Sequence, residues 1–64
     1  MCLSSVYAVE GAEKELLCKN VSVASVKDGK LVFTDIMGVS TEVLGDIERI
    51  DLMDNFIYVR RKDA

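Results

Sequence analysis

Apolar residues in this chain fall in short runs that alternate with polar ones, and turn-forming residues separate the runs at regular intervals. Alternation of this kind marks half-buried strands, because successive side chains on a strand point to opposite faces. Leu3 to Val9 reads as a first strand that stops at Glu10-Gly11. Glu13 to Lys19 reads as a second strand or, on composition alone, as a helical turn. Val21 to Lys27 is the third, with Val21 and Val23 on one face. Asp28-Gly29 is the clearest hairpin signal, since a type I′ turn needs positive φ at both central residues. Leu31 to Ile36 returns as its partner, and Gly38 interrupts the run. Val39 to Leu44 is a fifth strand closed by Gly45-Asp46. Ile47 to Leu52 is a sixth, with Ile50 and Leu52 on one face, and Asp54-Asn55 turns the chain into Phe56 to Arg60.

Seven short strands with tight turns predict an all-β fold, a small seven-stranded antiparallel barrel or sandwich spanning residues 1–64 as one domain. Nine valines and four isoleucines support this, because β-branched side chains suit a pleated surface better than a helix. Proline is absent and no stretch is of low complexity, so no linker divides the chain. An open sheet of this length would leave two hydrogen-bonding edges bare, which favours closure into a barrel or edge pairing across a dimer.

Size changes the picture next. A chain of 64 residues buries only about 60% of the surface exposed when unfolded, so its own core is marginal. Half of its residues are nonetheless hydrophobic, more than a small core can hide, which predicts a homodimer. No basic-then-apolar leader opens the chain and no apolar run reaches the roughly 18–20 residues that span a bilayer. With two cysteines and no export signal, the expected compartment is the reducing cytoplasm, away from membranes.

Charge excludes one class of function. Eight basic against eleven acidic residues give a net charge of −3, which disfavours binding nucleic acid through its phosphates. The one basic cluster, Arg60-Arg61-Lys62, lies at the C-terminal end and reads as a solvated tail.

Catalytic chemistry is thinly supplied. Histidine is absent, and so are the glycine-rich phosphate loops. Asp46, Glu48, Asp51 and Asp54 crowd one stretch but read as turn formers and a solvated face. The chain is not expected to be an enzyme. Cys2 stands out, because it follows the first methionine. The α-amine of Met1, the Cys2 amide nitrogen and the Cys2 sulfur form two fused five-membered chelate rings around a shared metal ion. If the methionine is removed, an amine and a thiolate remain. Such planar nitrogen and sulfur donors suit nickel or copper better than tetrahedral zinc. One chain offers too few donors, whereas two copies of Cys2 meeting on a dimer axis would complete a site. The plainer reading makes Cys2 a small apolar residue at a strand start. Cys18, within Leu16-Leu17-Cys18, reads as packing.

The opening Met1-Cys2-Leu3-Ser4 resembles the start of the CooT family, small nickel-binding proteins associated with carbon monoxide dehydrogenase maturation. The resemblance continues through Asp28-Gly29-Lys30-Leu31, Thr34-Asp35-Ile36-Met37-Gly38, Gly45-Asp46-Ile47, Ile50-Asp51-Leu52 and the Phe56-Ile57-Tyr58-Val59 strand. It implies a small SH3-like β-barrel and a homodimer whose two Cys2 residues hold Ni(II), with the Cys2 backbone nitrogen as a second donor. It also implies that the protein delivers nickel to, or senses it for, an apo-metalloenzyme such as carbon monoxide dehydrogenase. Cys18 is not part of the motif, and there is no histidine-rich tail to store nickel. Many members of the family are catalogued as predicted RNA-binding proteins. An RNA-binding module of small-barrel type and a ligand-free dimerisation domain are the competing readings. The first would need basic and aromatic side chains gathered on one face.

Overall fold

The computed structural model describes residues 2–62. Five strands, not seven, form the fold: β1 (Ser4–Glu10), β2 (Glu13–Lys27), β3 (Lys30–Asp35), β4 (Ser40–Asp51) and β5 (Phe56–Arg61). They pair in chain order and the sheet closes into a ring. Four of the pairings are antiparallel, but the closing one, between β1 and β5, is parallel, so the expected all-antiparallel pairing is corrected too.

The two missing strand breaks have physical causes. The segment from Glu13 to Lys19 is strand, and it joins the following one across Asn20, which takes the left-handed conformation with φ 58°. Asparagine tolerates that region as a single residue, so the backbone bends without stopping. The half of β2 before the bend pairs with β1, the half after it pairs with β3, and Val21, just past the bend, pairs with both. An irregularity between Val21 and Val23 turns their side chains to different faces: Val21 is buried and Val23 is exposed, contrary to the simple alternation.

Gly45 is the counterpart in β4. It is not part of a turn: the strand runs straight through it, paired with β3 up to Leu44 and with β5 from Gly45 onward. The β5 backbone passes so close that a Cβ on Gly45 would meet the carbonyl oxygen of Arg60 and lie 2.9 Å from the Cα of Arg61. Only glycine lets two strands approach like this. Since β4 ends at Asp51, Leu52 belongs to the following loop and does not share a strand face with Ile50.

The sequence-predicted turns fare better. Asp28 and Gly29 both have positive φ, 53° and 76°, and Lys27 faces Lys30, as a two-residue type I′ hairpin requires. Inside the ring, Val6 and Ala8 of β1, Val21 of β2, Leu31 and Phe33 of β3, Val43 of β4, and Ile57 and Val59 of β5 form the core. Leu17 and Cys18 pack against it. Burial of each large member contributes roughly 1.5–3 kcal/mol, which a core this small cannot multiply far.

Candidate metal centre

Cys2 sits two residues ahead of β1 and its side chain is exposed. Three features of the fold converge on the strand start that it precedes. Ser4 faces Val21 across the β1–β2 pair, and Val21 in turn faces Asp35 at the end of β3. On the other side, the Ser5 amide donates to the Asn55 carbonyl at 3.0 Å, which ties the β4–β5 loop to the start of β1. Thus the loop after β4 borders Cys2's strand directly, and the loop after β3 begins two strand spacings away, about 10 Å.

Both loops are built on one device. After β3, Asp35 Oδ1 accepts from the amides of Met37 (2.9 Å) and Val39 (3.0 Å), and Gly38 supplies a φ of 86°. After β4, Asp51 Oδ1 accepts from the amides of Met53 (3.0 Å) and Asp54 (2.9 Å), and Asn55 takes φ 61°. An aspartate that binds amides two to four residues on fixes its loop without needing core contacts. The side chains that follow each aspartate, Ile36-Met37 and Leu52-Met53, therefore project outward and are exposed.

Cys18 occupies a different environment. It faces Val6 across the β1–β2 pair and packs against the core. Burial pushes its thiol pKa up, and the nearby Asp35 carboxylate pushes it further in the same direction. A thiol that resists ionisation is a poor ligand and a poor nucleophile. Both cysteines are free thiols.

Among the described residues, no three His, Cys, Asp or Glu side chains gather as a metal-binding group. Met1, whose α-amine was expected to complete the fused chelate rings, lies outside the described residues, and the donors described at Cys2 are the thiol and the adjoining backbone nitrogen. That pair fits nickel chemically, because sulfur with amide nitrogen is the planar donor type this ion accepts, and the exposed thiol leaves room for an identical set from a second chain.

The acidic stretch and the basic tail prove to be partners rather than sites. Arg60 Nε donates to Glu48 at 2.8 Å, Arg61 pairs with Glu15, and Lys62 lies 3.5 Å from Asp46. The basic run is thus mostly strand end rather than loose tail, for β5 extends through Arg61. A cleft of about 320 Å³ near Glu10, Glu13 and Arg61 lies at the far end of β1 from Cys2 and is lined by these charges.

Sequence reasoning missed one cluster. Tyr7, Phe56 and Tyr58 meet on the outer face where β1 and β5 close the ring, with Tyr7 and Tyr58 stacked at 6.1 Å between centroids and Phe56 edge-on to Tyr7 at 5.6 Å. Lys14 Nζ lies 5.3 Å from the Tyr7 centroid, and the Arg49 guanidinium lies 6.0 Å from that of Tyr58. The signal was present in the alternation: Tyr7 and Tyr58 fall between the buried pairs Val6/Ala8 and Ile57/Val59. The side chains glue the closing seam and are partly covered by the protein's own cations.

Comparison with known proteins adds the decisive observation. Residues 1–60 match the family model described as CO dehydrogenase accessory protein CooT. The chain belongs to the CooT family. A crystal structure of a candidate CooT from Carboxydothermus hydrogenoformans superposes with a TM-score of 0.90 at 27% identity, covering 97% of this chain and all of that one. An uncharacterised protein of Methanocaldococcus jannaschii is 30% identical over 59 residues, 92% of this chain and 96% of its own. Membership in CooT supports an accessory role toward carbon monoxide dehydrogenase, in the maturation of the enzyme. Among the described residues, no helix is long and apolar enough to cross a membrane.

Proposed function

We propose that this protein is a cytoplasmic nickel carrier for carbon monoxide dehydrogenase, a homodimer of small SH3-like rings that holds one Ni(II) between the Cys2 residues of its two chains. The observation that carries the reading is the exposed Cys2 at the start of β1 in a chain of the CooT family. Each chain contributes the Cys2 sulfur and the adjoining backbone nitrogen, and two chains supply a complete planar set. Exposure serves release as well as capture, because an acceptor thiolate can approach a metal held at the surface. Cys18 takes no part: it is half-buried and its thiol is held protonated.

Nucleic acid is not the expected ligand. Five of the eight basic side chains, Lys30, Arg49, Arg60, Arg61 and Lys62, are within ion-pair distance of carboxylates, and the chain is acidic. Phosphate binding would have to break those pairs against a net negative charge.

The test is a nickel titration of wild type, Cys2→Ser and Cys18→Ser, followed by thiolate-to-nickel charge-transfer absorption. Wild type saturates at one ion per two chains, with affinity rising as pH rises because ligation displaces protons. Cys2→Ser loses the band and Cys18→Ser keeps it. Undiminished binding by Cys2→Ser refutes the proposal.

A further inference from the structure

We infer that the outer face of the β1–β5 seam is a docking surface for an acidic segment of a partner protein, one that carries carboxylates around an apolar side chain. The inference goes beyond the metal reading and takes from the accessory role only that a partner exists. Three of the chain's four aromatic residues, Tyr7, Phe56 and Tyr58, gather on this face, and Phe33 alone is in the core. A core this small had every use for that area, yet apart from Phe33 it is built from aliphatic side chains. The strand register assembles the face. Leu16 of β2, Tyr7 of β1, Tyr58 of β5 and Arg49 of β4 are successive cross-strand partners, so they form one row over four strands, about 14 Å across. The three rings are half-buried and Leu16 is exposed, which leaves apolar edges for a partner to cover. Tyrosine and arginine are also the side chains that most often dominate protein interfaces.

Charge selects the occupant. Lys14 Nζ stands over both tyrosine rings, 5.3 Å from the Tyr7 centroid and 5.8 Å from that of Tyr58, and among the described residues it pairs with no carboxylate. Arg49, at the other end of the row, has Asp51 at 3.7 Å, but Oδ1 of that carboxylate already accepts two loop amides. Arg60 nearby is neutralised by Glu48. The exposed charge of the face is therefore positive on a chain of net −3. Carboxylates laid along the row meet Lys14 and Arg49 beside apolar rings, where water screens the attraction less than on open surface. Tyr7 lies five residues along from Cys2, about 17 Å at strand spacing, so a segment docked here leaves the thiol free.

Two other occupants fit less well. Single-stranded nucleic acid stacks its bases on open ring faces. Here Tyr7 and Tyr58 stack on each other, Lys14 stands over both, and the Arg49 guanidinium lies 6.0 Å from the Tyr58 centroid, so the faces are taken and ring edges remain. A second copy of the chain fails on charge. A two-fold interface presents the same patch on both subunits, so Lys14 and Arg49 would confront their own images, four cations in one contact.

The experiment is an amide chemical-shift titration of the full chain, with a chelator present, against three probes: the peptide acetyl-Glu-Asp-Phe-Glu-Asp amide, its counterpart with lysine at every acidic position, and octauridylate. The samples are wild type, Lys14→Glu/Arg49→Glu and, as a control for net charge, Lys27→Glu, an exposed cation on the β2–β3 hairpin; circular dichroism verifies the fold. In wild type the acidic peptide is expected to shift the amides of Tyr7, Lys14, Leu16, Arg49 and Tyr58, and the lysine peptide to leave them in place. Lys14→Glu/Arg49→Glu should weaken the acidic peptide at least about 10-fold, and Lys27→Glu by no more than about threefold. No shift with the acidic peptide at millimolar concentration overturns the inference, as do shifts centred elsewhere or a double variant that binds as wild type does. Octauridylate shifting the same amides would assign the face to nucleic acid, and a concentration-dependent shift of them in the protein alone would assign it to a second copy; either refutes it. The metal reading fails separately, since a chain that shows no nickel band on titration would still bind the acidic peptide here, and Cys2→Ser should bind it as wild type does.

Discussion

Replacing Gly45 by alanine adds a single methyl group at the corner where β4 leaves β3 for β5. In most strand positions that change is neutral or favourable by about 0.5–1 kcal/mol, because alanine loses less backbone entropy on folding. Here the new Cβ would meet the Arg60 carbonyl oxygen, stand 2.9 Å from the Arg61 Cα and 3.1 Å from the Arg60 carbonyl carbon. All three are backbone atoms, so no rotamer change relieves the contact and the β4–β5 pair must separate. Forcing a methyl into packed structure costs about 1–3 kcal/mol, and loosening the ladder at Gly45↔Arg61 adds about 1 kcal/mol per hydrogen bond weakened. Set against the entropy gain, the net loss is about 2–3 kcal/mol. For a domain of this size that lowers Tm by on the order of 10–20 °C. Thermal and urea unfolding followed by circular dichroism measure it directly. Gly29→Ala is the control: it has φ 76° but open space around it, so its cost is the left-handed strain alone, about 1 kcal/mol. A Gly45→Ala protein as stable as wild type would show that β5 does not press on β4 at this corner.

Three further outcomes follow from the packing. Iodoacetamide near neutral pH should label Cys2 well ahead of Cys18 in the folded protein, as peptide mass analysis would show, with labelling equalised in urea. Because the folded state raises the Cys18 pKa above its unfolded value, the unfolded chain binds fewer protons there at alkaline pH. That part of the stability is present below the ordinary thiol range and is lost as pH rises through the raised value, so Cys18→Ala should show a shallower alkaline decline in urea midpoint than wild type. Tyr58→Ala removes the stacked partner of Tyr7 and the ring beside Arg49, and should cost about 1–3 kcal/mol by the same unfolding assay. A loss near zero would mean that the seam holds through Val6, Ala8, Ile57 and Val59 alone.

Much of the fold was legible because the strand period is two and the turns carry their own chemistry. Asp28-Gly29 is the plainest case, where residue identity and φ requirement coincide. The strand count failed where the chain bends without turning. Asn20 and Gly45-Asp46 look like punctuation in a one-dimensional reading, but a small ring needs corners, and a single left-handed asparagine or a bare glycine makes one inside a continuous strand. The parallel β1–β5 seam was out of reach for another reason: Tyr7 and Tyr58 meet across 51 positions, and nothing local encodes that register. Cys2 could be singled out from its place in the chain. Its neighbours could not, because the loop that borders it arrives from the other end of the sequence through the Ser5–Asn55 hydrogen bond.

The closing seam also governs the order in which the molecule can be built. β1 is the first strand to be synthesised and acquires its second neighbour only when β5 exists, so during translation its β5-facing edge stays open for nearly the whole chain. Hairpins β1–β2 and β2–β3 can form early, being joined by two-residue turns, but the cavity that receives Val6 and Ala8 is incomplete until Ile57 and Val59 arrive. The strand next to Cys2 thus gains its second neighbour last, and the loop beside it is tied to it in the same step. A nascent chain stalled before residue 56 should leave β1 held by β2 alone, with its β5-facing edge open and the ring unclosed.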